Sequence, residues 1–180
     1  MSGPESIDPV ARVVAHEDIR QLAVRYAWLL DSRDLVALAE LFVADVRVGD
    51  GVGRAALAAS FTEQLRSIGP TTLFVGNHVI ELDDVDHAHG IVYCRGYIDE
   101  PEGFVEQMIV YSDRYRREPD EGWRFVGRRH ELFYGIETAE RPYEQGSAHW
   151  PTSATGVGTL PFRLESWQRF RRGDAGHLGS

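Results

Sequence analysis

The feature that most constrains this chain is a change of hydrophobic period at Gly69-Pro70. Before it, apolar residues recur at helical spacing. After it, they fall into four strand-like runs at 71–82, 89–99, 104–116 and 123–136. Polar turns separate the runs: DDVDH at 83–87, EPEG at 100–103 and PDEG at 119–122. Turns this short join neighbouring antiparallel strands, whereas a parallel pair needs a crossover of about a dozen residues or more. The second half is therefore expected to be an antiparallel meander. Helices followed by strands make the chain α+β.

Three helices are expected ahead of the sheet. In the first, over 17–33, Ile19, Ala23, Tyr26 and Leu30 share a face flanked by Leu22 and Leu29, with Asp18, Gln21 and Arg25 opposite. Asp34 is placed to cap a second helix over 35–42. Residues 43–50 turn into a short strand. The third helix spans 54–68, carries the stripe Leu57, Phe61, Leu65 and Ile68, and stops at Gly69-Pro70. A long curved sheet wrapped around the first helix gives a cone-shaped barrel with an apolar interior.

The length of 180 residues suits one domain. Its expected extent is 16–137, after a flexible lead-in at 1–15 in which 10–16 reads as a short helical approach. A C-terminal extension at 138–180 follows. Residues 140–158 are rich in Pro, Gly, Ser and Thr, with His149-Trp150-Pro151 expected as a lid over the barrel or a contact with a neighbouring subunit. Residues 160–172 suit a last helix with Leu164, Trp167 and Phe170 as its stripe, and 173–180 a disordered end.

Composition removes several functions. The net charge is −9, so nucleic acid and anionic membrane are poor partners. The basic cluster at 169–172 reads as a solvated helix face. Cys94 is the one cysteine, which excludes an intrachain disulfide and a cysteine zinc site. Asp86, His87 and His89 have metal-ligand chemistry but occupy a turn, so neither metal nor cofactor is expected. Gly49, Gly51 and Gly53 do not follow a phosphate-loop pattern, and no G-x-S-x-G elbow marks a nucleophile. With no leader-like segment and no apolar run of membrane-spanning length, a cytoplasmic protein is expected.

The candidate chemistry centres on Asp31, at the end of the first helix, and His78, in the first strand. Period-two alternation puts His78 on one face with Phe74, Ile80 and Leu82. A carboxylate behind an imidazole fixes its tautomer and raises its basicity, which makes a general base. The helix alone does not bring the two together, because Asp31 lies roughly 140° around it from Tyr26. Tyr26, Tyr93, Tyr97, Tyr111 and Tyr134 are candidates for a hydroxyl inside the barrel. Arg128, Arg129 and His130 are adjacent on the fourth strand, and alternation sets Arg129 opposite the other two.

The segments RYAWLLDSRDLVALAELFVADV, GRAAL, NHVIEL and DRYRREPDEGWRFVGRR, in that order, resemble the SnoaL-like branch of the nuclear transport factor 2-like superfamily. The resemblance covers roughly 17–135 and implies the same cone. It includes scytalone dehydratase, bile-acid dehydratase, hexachlorocyclohexane dehydrochlorinase and polyketide cyclases. It implies a catalytic Asp31–His78 dyad assisted by Tyr26, with Arg128 binding substrate and Arg129 as its competitor. Tyr93 and Tyr111 are expected to complete the substrate contacts. A second catalytic histidine has no counterpart, since Tyr93 and Arg95 occupy that stretch.

The expected function is a cofactor-independent lyase or isomerase, of dehydratase or cyclase type. Its expected substrate is a small apolar oxygenated metabolite such as a polyketide, steroid or terpenoid. The alternative is a non-catalytic binding or oligomerisation module, and a subunit supporting a larger oxygenase is a third possibility. A homodimer or higher homo-oligomer is expected, formed through an open sheet face carrying Tyr111, Tyr115 and Trp123.

Overall fold

A computed structural model of the protein describes residues 7–138 and 161–174. The first helix, α1, spans Pro9–Asp31. It begins inside the expected lead-in because Asp8 caps it, accepting from the Ala11 amide at 2.9 Å, and Pro9 suits the first helical position. Its buried face is Ala15, Ile19, Leu22, Ala23, Tyr26, Ala27 and Leu30. It ends where Arg33 takes a positive φ of 59°, and the Ser32, Arg33 and Asp34 amides close on the carbonyls of Trp28, Leu30 and Leu29.

Asp34 then caps the short helix α2, Leu35–Ala39, accepting from the Ala37 amide at 3.3 Å. A two-residue hairpin follows, β1 at Arg47–Val48 and β2 at Gly51–Val52, and then α3 at Arg54–Leu65. Arg54 ties this region together, bonding Glu40, Glu121 and the Phe42 carbonyl. The segment leaving α2 is pinned to the sheet by the Val43 amide on the Phe125 carbonyl and the Phe125 amide on the Leu41 carbonyl.

Four long antiparallel strands complete the domain in the order β3-β4-β5-β6, at Thr71–Leu82, His87–Glu100, Gly103–Glu118 and Gly122–Thr138. This is the expected meander. α1 lies across its concave face, which carries Ile80, Ala88, Val92, Cys94, Ile109, Tyr111, Tyr115, Trp123 and Phe125, all buried. Tyr111, Tyr115 and Trp123 are therefore core residues, not the exposed dimer face expected of them. The alternation that hid them inside leaves Phe74, Val79, Ile91 and Phe133 exposed.

Three bulges decide which residues face inward. In β3, Val75 pairs with Cys94 but His78 with Val92, so one extra residue at 76–77 reverses the phase. Leu73 and Val75 point inward before it, His78 and Ile80 after it. Phe74, expected beside His78, is instead 71% exposed. In β6, Val126 is the extra residue that puts both Phe125 and Arg128 inside, and Phe133 is the second.

The last described helix, α4, is Glu165–Arg172, shorter than expected and closed by Gly173 at φ 78°. It packs Trp167 against the end of α1. The expected lid at His149-Trp150-Pro151 lies outside the described residues. No described helix is long and apolar enough to cross a membrane.

Candidate active site

Two polar clusters lie on the inner surface of the cone, separated along the strands. The first surrounds Arg128. Its Nε and Nη2 donate to the two carboxylate oxygens of Asp113, at 2.8 and 2.7 Å. The side chains are 4% and 0% exposed. The guanidinium carbon lies 4.3–4.5 Å from the ring centres of Tyr111, Tyr26 and Phe125. Burial works against the Arg128 charge, but the hydrogen bonds and charge of Asp113 outweigh it, and its pKa is raised. A guanidinium so neutralised is a packed structural ion pair. It offers no free charge to a substrate, contrary to the expectation for Arg128. Arg129 faces outward, as alternation predicts, and pairs with Glu131.

The cluster continues to His78. The Tyr115 hydroxyl donates to Asp113 at 2.8 Å, and His78 Nε2 lies 3.1 Å from the same hydroxyl oxygen. Tyr115 has one proton and gives it to Asp113, so His78 must donate from Nε2 and keep its lone pair on Nδ1. Burial pushes the His78 pKa down to about 4, against the charge of Asp113 and helped by that of Arg128. The imidazole is therefore neutral near pH 7 and weakly basic. Gly90 makes this contact possible. A Cβ there would lie 2.5 Å from the Val79 carbonyl oxygen, and Tyr115 and His78 close over the vacant position at 3.4 and 3.6 Å.

The second cluster surrounds Asp31, and His78 is not part of it. One Asp31 oxygen accepts from the Thr71 hydroxyl and the other from the Leu73 amide, both at 2.8 Å. Leu73 is five residues from His78 along β3, which separates the two groups by roughly 15 Å at the usual strand rise. The expected Asp31–His78 dyad is thus not formed: the strand position against Asp31 presents a leucine and its backbone. Burial raises the Asp31 pKa to about 6, against the Leu73 amide, the Thr71 hydroxyl and the Arg33 charge. Its charge reaches Cys94, whose thiol burial pushes up to about 11.

Between the clusters, Ala23, Leu73, Val75, Val92, Cys94, Ile109 and Tyr111 form an apolar wall. Leu132 pairs with Ile109 and His130 with Tyr111, yet Leu132 stays 49% exposed and His130 is exposed too. Burial pushes the Tyr26 pKa up to about 12 and raises that of Tyr111, so both hydroxyls remain protonated donors. Tyr93 belongs to the outer face, its ring edge-on to Phe133 at 5.5 Å, and does not line the interior. Among the described residues no group of three or more His, Cys, Asp or Glu could hold a metal. A separate groove of about 880 Å³ lies between α2, α3 and α4, and none of the expected site residues lines it.

Asp113, Tyr115, Thr71 and Arg33 were not foreseen. Asp113 carried a signal, since the run YSDRYR sets it in phase with Tyr111 and Tyr115.

The sequence profile of the SnoaL-like domain matches residues 11–129. The chain belongs to the SnoaL-like family. Solved structures share the cone of the nuclear transport factor 2-like superfamily. A type 2 hexachlorocyclohexane dehydrochlorinase, LinA, is 20% identical, covering 73% of this chain and 94% of its own, with a TM-score of 0.66. LinA-type3 from Novosphingobium barchaimii LL02 is 19% identical over 73% and 95%, also at 0.66. ActVI-ORFA from Streptomyces coelicolor is 15% identical over 66% and 97%, at 0.55. At these identities the likeness establishes the fold. The comparison with curated proteins gives no match. Solved structures named as enzymes thus share this architecture, and the residues inside each cone set what it does.

Proposed function

We propose that this SnoaL-like protein is a cofactor-independent acid–base enzyme, a lyase or isomerase acting on a small apolar oxygenated molecule. Asp31, rather than His78, is its proton acceptor. The observation that carries the reading is the state of Asp31: a carboxylate in apolar surroundings, held by two neutral donors, with a pKa of about 6. A base is most effective when its pKa lies near the working pH. Asp31 meets that condition and His78, at about 4, does not.

In the proposed step, Asp31 takes a proton from a carbon next to a carbonyl. The electron pair moves onto the carbonyl oxygen, which accepts a hydrogen bond from Tyr111 or Tyr26. Expulsion of a leaving group from the next carbon completes an elimination, and return of the proton elsewhere completes an isomerisation. The dehydrochlorinases among the structural neighbours are, by name, enzymes that eliminate hydrogen chloride.

The rival reading, a binding or association module, is favoured by how full the upper interior is. Tyr26 is ringed by Phe42, Phe61, Tyr111 and Phe125 at 6.0–6.4 Å, beside the Asp113–Arg128 pair. A panel of ketones and β-hydroxyketones, screened first for thermal stabilisation and then for deuterium uptake from solvent by NMR, separates the two. Uptake that falls by about 10²–10⁴ in Asp31→Asn, with stabilisation retained, supports the enzyme. Undiminished uptake in that variant rejects Asp31 as the base, and stabilisation without uptake favours the binding module.

The protein is also proposed to self-associate through the convex face of its sheet, where Phe74, Val79, Ile91, Phe133, Tyr134 and Ile136 are exposed. Over the 12-residue length of β3, the shortest, the four strands present roughly 750 Å² at ordinary strand spacing and rise, close to the about 800 Å² per partner of a stable interface.

A further inference from the structure

Arg33 occupies an unusual place. It is a non-glycine residue at φ 59°, it is 2% exposed, and it lies two residues after Asp31. Its Nη1 donates to the Leu30 carbonyl at 2.7 Å and to Thr71 Oγ1 at 2.9 Å, and its Nη2 donates to the Gly69 carbonyl at 2.6 Å. A Thr71 oxygen that receives an Arg33 N–H must turn its own proton elsewhere, and that proton goes to Asp31 Oδ1 at 2.8 Å. The far side of the guanidinium is covered by α4. Trp167, itself 2% exposed, lies 4.6 Å away, and Phe170 5.8 Å. The Ser166 hydroxyl fastens the same helix to the Ser32 carbonyl at 2.7 Å.

We propose that Arg33 and the C-terminal helix are a positioning device for Asp31: Trp167 seats the guanidinium, the guanidinium orients the Thr71 hydroxyl, and that hydroxyl fixes the carboxylate. The importance of the device rests on the reading of Asp31 as the base. A comparison within the molecule explains the indirect route. Asp113 receives Arg128 directly, through two hydrogen bonds, and is committed to it. Arg33 reaches Asp31 through Thr71 and through its charge, which favours the ionised carboxylate without capping it. A fully stacked cation retains its field in the interior, where it is weakly screened. The groups acting on Asp31 are Thr71 and Leu73 from β3 and Arg33 from the end of α1; Cys94, across the interior on β4, feels the Asp31 charge.

The test is a carboxyl ¹³C NMR titration of Asp31 in the full chain, with circular dichroism as the check on folding. Thr71→Val and Arg33→Met are expected to raise its proton affinity about tenfold, one pKa unit. Trp167→Leu, which removes the ring over the Arg33 guanidinium, is expected to move it in the same direction, and Arg33→Lys to recover part of the Arg33→Met effect. If Arg33→Met does not fold, Trp167→Leu and Thr71→Val carry the test. A folded Trp167→Leu protein whose Asp31 titrates as in the wild type overturns the proposal. That outcome is independent of turnover: an active Asp31→Asn enzyme overturns the catalytic reading and leaves the titration standing.

Discussion

Removing the Arg128 charge while keeping its bulk, as in Arg128→Met, leaves Asp113 ionised at 0% exposure with two of its three hydrogen bonds gone. Breaking a buried ion pair from one side costs about 3–5 kcal/mol, because the remaining charge has neither water nor partner. The rings of Tyr26, Tyr111 and Phe125 lose their cation as well, a smaller contribution of about 0.5–2 kcal/mol. A domain of this size loses about 2–4 °C of Tm per kcal/mol, so the variant should melt roughly 7–28 °C below the wild type. Urea denaturation followed by tryptophan fluorescence gives the free energy directly. The decisive companion is Arg128→Met with Asp113→Asn. It buries no charge and still offers Tyr115 an acceptor, so it should regain about 2 kcal/mol of the loss, within the usual coupling of contacting residues. An Arg128→Met protein less than about 1 kcal/mol destabilised, with the second substitution adding a further loss, would refute the structural assignment and return Arg128 to substrate binding.

The two perturbed inner groups make opposite contributions to acid stability. His78 has a pKa of about 4 in the fold against an ordinary 6.5, so the unfolded chain binds the proton more readily and stability falls as pH drops through that interval. Asp31, at about 6 against 3.8, binds its proton more readily when folded, so its contribution to stability rises as pH drops from about 6 to about 4. In denaturation between pH 7 and 4, His78→Gln should therefore lose less stability on acidification than the wild type, and Asp31→Asn more; the reverse order would refute both assignments. On the convex face, Phe133→Glu places a charge where the fold needs none, since Phe133 is 60% exposed. It should convert an associated protein to monomer in sedimentation velocity with an unchanged far-UV circular dichroism spectrum, and a wild type already monomeric at tens of micromolar would remove the interface.

The helices and the meander were legible because period and punctuation are local. Asp34 before an apolar run, Gly69-Pro70 after one, and three polar turns each determine structure within a few residues. The inner face was legible only as far as alternation ran unbroken. On β4, where pairing is regular, Ala88, Gly90, Val92 and Cys94 alternate cleanly inward. On β3 an extra residue at 76–77 reversed the phase, so Phe74 and His78, four apart, ended on opposite faces. A bulge is defined by its partner strand, and the partner of Val75 is Cys94, nineteen positions away; nothing near Gly76 records it except the glycine. Asp31 and His78 are separated for a different reason, distance along the strand: the position against Asp31 is Leu73, five residues before His78.

Two inner carboxylates have opposite fates, and lone pairs explain why only one can exchange a proton usefully. Asp113 accepts two bonds from a guanidinium and one from Tyr115. A proton placed on it would compete with those donors and strand the Arg128 charge in a dry core. Asp31 accepts one bond on each oxygen, from donors that carry no charge. A carboxylate has about four acceptor sites, so a proton can join Asp31 while Thr71 and Leu73 keep theirs. Gain and loss of that proton then require no rearrangement of the site, which is what a base must do once in every turnover. Within this cone the imidazole lies five residues further along β3, Asp31 is the carboxylate that can take up a proton without losing its donors, and the buried arginine holds the sheet together.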